Sequence, residues 1–151
     1  MFNHAPPDYD CPLCAIIAGD ENDPPWTQQA DVVLRTDEVI AWVNPKWWGD
    51  IKGNVVVVPV RHVENLYDLD DELAVSIHRV ARRIAIAMKT AYGCAGVSTR
   101  QHNEPAGNQD AFHYHLHVFP RYARDDLYGQ PARLVDPAER APYVAKLKAA
   151  L

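Results

Sequence analysis

One stretch of the chain constrains its architecture more than any other. Between Asp70 and Tyr92 the apolar residues Leu73, Ile77, Val80, Ile84, Met88 and Ala91 recur at steps of four, three, four, four and three. That spacing lays them in one stripe along a single long helix. Asp70, Asp71 and Glu72 stand where the helix dipole favours negative charge, and Gly93 supplies a natural stop. Arg79, Arg82 and Arg83 fall off the stripe and read as a solvated face. Around this helix the chain is β-rich, with strands predicted at 32–36, 39–44, 54–60, 95–102 and 112–119. One long helix amid about five strands, without a β–α rhythm, predicts an α+β domain with a mostly antiparallel sheet. Short flanking helices are expected at 11–19, closed by Gly19, and at 136–151 around Val144 and Leu147.

With 151 residues and a 48% hydrophobic share, the chain can fill one core. Residues 1–10 hold two prolines and little to bury, so a mobile lead-in is expected there. Residues 11–151 then form a single domain, with a C-terminal extension from about 123. A net charge of −5 argues against a protein that coats nucleic acid, but leaves a single nucleotide feasible as ligand. The longest apolar run, Val55 to Val58 and on through Pro59 to Val60, is far short of the roughly 20 residues of a membrane span. No secretory signal is visible in MFNHAPPDYD. Three cysteines (Cys11, Cys14 and Cys94) make a disulfide scaffold improbable and a reducing cytoplasm the default location.

The chemistry is concentrated in F-H-Y-H-L-H-V-F-P-R at 112–121. Strand alternation turns His113, His115 and His117 to one face, roughly 6–7 Å apart, and Tyr114, Leu116 and Val118 to the other. Such a row can bind a metal, or offer one imidazole as a nucleophile, or be merely structural. The preceding polar loop, 102–110, brings the amides of Asn103 and Gln109 near this face, where they can hold phosphate oxygens. A second loop, 44–53, carries Trp47 and Trp48, which fit a pocket lining, a dimer contact or a fold-back over the core.

Here the sequence resembles the histidine triad family, whose signature is His-apolar-His-apolar-His-apolar-apolar. The match at His113–Phe119 is complete with Tyr114 counted as apolar, and extends to Pro120–Arg121 and back to Asn103. G-N-V-V-V-V-P-V-R-H at 53–62 and C-P-L-C-A-I-I-A-G at 11–19 resemble further family segments in the expected order. The resemblance implies a nucleotide hydrolase or nucleotidyl transferase acting at the α-phosphate of a dinucleoside polyphosphate or nucleoside phosphoramidate. His115 would attack phosphorus, His117 would bind the phosphate and assist proton transfer, and His113 would orient the row. Asn103 and Gln109 would contact phosphate or leaving group, and Asn44 would hold ribose hydroxyls or act only as a turn residue before Pro45. A non-catalytic nucleotide sensor and a metalloenzyme using the histidine cluster are the rival functions.

The chain departs from the family pattern at three places. Asn54 replaces a histidine, Asn108–Gln109 replaces Gly-Gln, and Asp110 brings a carboxylate that should repel phosphate unless it faces away or is paired. Cys11-x-x-Cys14 matches half of a zinc site, with unpaired thiols and a redox pair as alternatives. In zinc-bearing relatives the residues corresponding to His62 and His113 complete a structural site. The resemblance also implies a homodimer, with sheets or long helices meeting across a two-fold axis.

Overall fold

A computed structural model describes residues 2–151. The elements among them are α1 (Pro12–Ala18), β1 (Val32–Arg35), β2 (Val39–Val43), β3 (Lys46–Trp48), β4 (Val55–Pro59), α2 (Asp71–Tyr92), β5 (Gly96–Gln101), β6 (Leu116–Arg121), β7 (Ala132–Leu134) and α3 (Pro137–Ala150). The main sheet runs β1-β2-β4-β6-β5 with every neighbouring pair antiparallel, and β3 pairs β7 in a small second sheet. The α+β architecture expected from the sequence is the one found.

α2 begins where Asp70 accepts a hydrogen bond from Leu73 N at 2.8 Å, and ends at Gly93, whose φ of +63° suits a residue without Cβ. Its buried stripe, including Leu73, Ile77, Val80, Ile84 and Met88, packs on Val39, Ala41, Val43, Val55 and Val57 of the sheet. The opposite sheet face buries Ile40, Trp42, Val56 and Val58 beneath Ile16 of α1. Both faces of β2 and β4 are therefore covered, which is why these strands read as unbroken apolar runs.

Register places one residue from each strand in a single row: Val32, Trp42, Val56, His117 and Arg100. The row crosses the face away from α2. Neighbouring members stand about 4.8 Å apart, the spacing of hydrogen-bonded strands.

One strand expectation needs adjustment, and both ends of the chain can be placed. The histidine strand starts at Leu116 and not at Phe112, because Gln101 and Val57, the partners of Leu116, are the last residues to pair with it. Pro59 has no N–H to extend the ladder, and its carbonyl oxygen instead meets His113 Nε2 at 3.0 Å. The lead-in lies along the domain: Asn65 donates to Phe2 O and to Asn3 Oδ1, and Phe112 N donates to the Tyr9 hydroxyl. The C-terminal extension is likewise built in, with β7 on β3 and with Val144 and Leu147 of α3 in the main core. No helix among the described residues is long and apolar enough to cross a membrane.

Candidate active site

The sheet face that carries the row opens into a cleft of about 1020 Å³. Its apolar end is Leu13, Ile16, Trp42 and Val56; its polar end holds His115, His117, Arg100, His102, Lys46 and Asp110. The alternation predicted for the histidines survives outside the ladder. Tyr114, Leu116 and Val118 enter the α2 core, while the His115 and His117 rings meet edge-on at 5.2 Å between centroids.

His115 Nδ1 lies 2.8 Å from the carbonyl oxygen of His113. A carbonyl only accepts, so Nδ1 carries the proton and the lone pair belongs to Nε2. Nε2 faces the cleft, 3.9 Å from an Asp110 carboxylate oxygen. Burial lowers the His115 pKa, opposed by the bond to His113 and by the Asp110 charge. Burial also holds His117 well below its ordinary value, with His115 and the Arg100 cation adding to the effect. Both rings are thus neutral near pH 7. His117 Nδ1 is buried without a hydrogen-bond partner.

His113 turns elsewhere. Its Nδ1 is 3.4 Å from Cys11 Sγ and 3.5 Å from Cys14 Sγ, and His62 Nδ1 is 3.3 Å from Cys14 Sγ. The four donor atoms lie within 4.8 Å of one another. A tetrahedral zinc with ordinary bond lengths has S···N edges of about 3.6 Å, so these separations match a four-coordinate ion. With His113 Nε2 on the Pro59 carbonyl, the proton sits on Nε2 and Nδ1 is free to ligate. Cys11 also caps α1, its Sγ accepting from Cys14 N at 3.4 Å, so the turn that starts the helix aims both thiols at one point. The donor set is compatible with zinc, and its four protein ligands would leave no open position for substrate.

The amides divide. Asn103 Oδ1 accepts from Leu66 N at 2.7 Å and from Gln101 Nε2 at 3.0 Å, and its Nδ2 donates to Gln101 Oε1. Gln109 accepts from Glu104 N and donates to the carbonyls of Glu64 and Ala111. These two side chains hold loops together, and neither borders the cleft. Asn44 does border it. Its Nδ2 donates to Asn54 Oδ1 at 3.0 Å, and its Oδ1 accepts from Lys46 N. Asn54, fully buried, thus orients Asn44. Gly53 makes the turn that places Asn54: its φ is +73°, and an added Cβ would meet the Tyr143 ring at 2.5 Å.

Asp110, expected from its charge to repel phosphate unless it faces away or is paired, lines the cleft and is paired with Lys46 Nζ at 3.0 Å. Burial raises its pKa, but the Lys46 ammonium outweighs that and the net shift is downward. The tryptophans separate as strand neighbours must. Trp47 is wholly buried with its indole N–H on Asn44 O, whereas Trp48 faces the cleft beside His117 and Phe119. Sequence reasoning missed Trp42, Lys46, Arg100 and His102. For the last two a signal existed, since period two on the predicted strand 95–102 puts Ser98, Arg100 and His102 on one face.

Comparison with known proteins agrees with this geometry. A HIT domain family model matches residues 27–124. The Bacillus subtilis protein named Protein hit is 33% identical over 120 residues, 80% of this chain and 77% of its own. The crystal structure of a Zn-bound histidine triad family protein from Mycobacterium smegmatis superposes with a TM-score of 0.77 at 27% identity, covering 93% of this chain and 92% of that one. Adenosine 5′-monophosphoramidase HNT1 of Saccharomyces cerevisiae is 29% identical over 89 residues, 56% of this chain and 52% of that protein. With the family model spanning most of the chain and the three histidines in place on β6 and its lead-in, this protein belongs to the HIT, or histidine triad, family.

Proposed function

We propose that the protein cleaves nucleotide conjugates at the α-phosphate through a covalent nucleotidyl-His115. The observation that carries this reading is the bond from His115 Nδ1 to His113 O, which leaves a neutral Nε2 lone pair facing a large cleft. Nε2 attacks the α-phosphorus. The bond from phosphorus to the leaving atom breaks, and its electron pair stays with that atom, which takes a proton where it needs one. Water then attacks the same phosphorus and gives up a proton to solvent, the P–N electron pair returns to Nε2, and a nucleoside monophosphate and neutral His115 are released. His117 lies one ring further along the row, suited to hydrogen-bond the phosphoryl oxygens and assist proton transfer.

The apolar end of the cleft, with Trp42 between Ile16 and Val56, suits a nucleobase, and Asn44 at its border suits ribose hydroxyls. Asn103 and Gln109 act here by shaping the phosphate loop rather than by touching substrate. The yeast monophosphoramidase among the relatives supports the reaction class. His113 points away from His115 and His117 toward Cys11, Cys14 and His62, an arrangement that favours nucleotidyl transfer over metal catalysis on the triad.

The cluster Cys11, Cys14, His62 and His113 is proposed to hold a structural zinc, which when bound would cross-link the N-terminal segment to the lead-in of β6 and keep His113 O under His115. The Zn-bound mycobacterial relative supports this. A homodimer is proposed in keeping with the outer edge of β5, which carries no ladder partner, and light scattering on a sizing column checks it. A cytoplasmic setting suits three unpaired thiols.

The test is incubation with an adenosine phosphoramidate and with a diadenosine polyphosphate. Release of AMP, together with a nucleotidyl adduct on the intact protein by mass spectrometry, is expected. AMP binding with no turnover of either substrate would make the protein a nucleotide sensor instead.

A further inference from the structure

Three cations line the cleft: Lys46, Arg100 and Arg133. Lys46 is paired with Asp110 at 3.0 Å and Arg133 with Glu139 at 2.7 Å. Arg100 has no carboxylate within ion-pair distance and no hydrogen bond among the described residues, and its Nε is buried without a partner. That is an unusual condition for a half-buried charge, because desolvation is repaid only by a counter-charge or by hydrogen bonds. The side chain is nonetheless held. Its guanidinium lies 4.7 Å from the Trp48 ring centroid and 4.9 Å from that of Phe119, packed against two aromatic rings.

Its place in the row decides what it is held for. Arg100 directly faces His117 across β5 and β6, and His117 faces Val56, which faces Trp42. From Trp42 the row steps about 4.8 Å per strand: two steps reach the backbone of His117 and a third that of Arg100, whose guanidinium lies over Trp48 and Phe119 on the same face. A nucleotide with its base at Trp42 and its α-phosphate at the histidines therefore meets Arg100 one position beyond the α-phosphorus, on the leaving-group side. The cleft of about 1020 Å³ has room for more than a single mononucleotide.

We infer that Arg100 is an anion subsite for the leaving group, selecting conjugates in which a second phosphoryl group follows the α-phosphate. The inference rests on the nucleotide reading above and narrows it: the natural substrates are phosphoanhydrides, and amine-linked conjugates are poorer ligands. Asp110 reinforces the choice by pairing directly with Lys46 while reaching Arg100 only at longer range, so that Arg100 is the cleft cation without an ion pair.

The test is calorimetric titration of the full chain with AMP and with ADP in magnesium-free buffer, ADP supplying the second phosphoryl group. The unmodified protein is expected to bind ADP at least about tenfold more tightly than AMP, as befits one charge-assisted contact. Arg100→Gln should bring the two affinities to within about twofold of each other. Arg100→Met, which keeps an apolar stem against Trp48, should do the same and serves if the glutamine variant does not fold. An ADP preference that survives in the folded variant overturns the subsite. So does AMP binding with no ADP preference in the unmodified protein, a result that leaves the nucleotide reading standing. Failure to bind either nucleotide removes both.

Discussion

The ring of His115 is oriented by the backbone of His113: Nδ1 of the one lies 2.8 Å from the carbonyl oxygen of the other. The tautomer of His115 is thus set by the residue two places before it, whose own ring belongs to the cysteine cluster. His115→Ala should lower AMP release by about a thousandfold or more and abolish the mass adduct, while the melting temperature stays within a few degrees. Steady-state chromatography of AMP measures the first effect. An alanine variant that turns over normally would assign the nucleophile elsewhere.

Zinc should be present at one ion per chain by elemental analysis of protein purified without chelator. Cys14→Ser should reduce that content and cost about 3 kcal/mol, or roughly 6–12 °C in melting temperature for a chain of this size. Because the cluster faces away from the cleft, turnover at a temperature where the variant stays folded should fall far less than in His115→Ala. Equal losses would show that the metal takes part in chemistry.

Acid should destabilise the protein earlier than its carboxylates alone would require. His117 is buried neutral, with a folded pKa well below the unfolded value near 6.5. Between those two values the unfolded chain binds a proton that the folded chain does not, so stability falls as pH drops below about 6.5. The slope approaches about 1.4 kcal/mol per pH unit for one such group. Urea midpoints from pH 7.5 to 5.0 should decline, and His117→Gln should flatten the decline. An unchanged slope in that variant would place the acid sensitivity in other groups.

Asp110→Asn should release Lys46 toward an incoming phosphate and lower KM for an anionic substrate by about threefold to tenfold, since the pair is partly exposed and its neutralisation incomplete. A raised KM would mean that the carboxylate contacts the substrate itself.

How far the sequence carried the site depends on the range of the interactions involved. The histidine row and Cys11-x-x-Cys14 are local patterns whose geometry follows from strand and helix periods, and both were legible. The protein contacts of Asn103 and Gln109 were not legible, because an amide that satisfies backbone groups is chemically the same as one that awaits a ligand. Here the positive φ angles of Glu104 and Asn108 (+62° and +68°) fold the loop so that both amides bond to protein. Arg100 shares its period with Ser98 and His102, but which face of β5 meets the cleft is decided by its pairing with β6, a non-local fact. Arg140 had no local signal at all. It is buried in α3 and bound to Asp31, 109 residues away, and to the carbonyls of Pro25 and Trp26.

That last contact bears on the shape of the cleft. Trp26 and Thr27 form a wall of the cleft, and Ala132, Arg133 and Leu134 another. The anchor of the first wall and the whole of the second lie beyond residue 124, where the family match stops. Substitutions in the tail can therefore reshape the mouth of the cleft, and so alter which ligand fits it, while the His115 ring stays where it is.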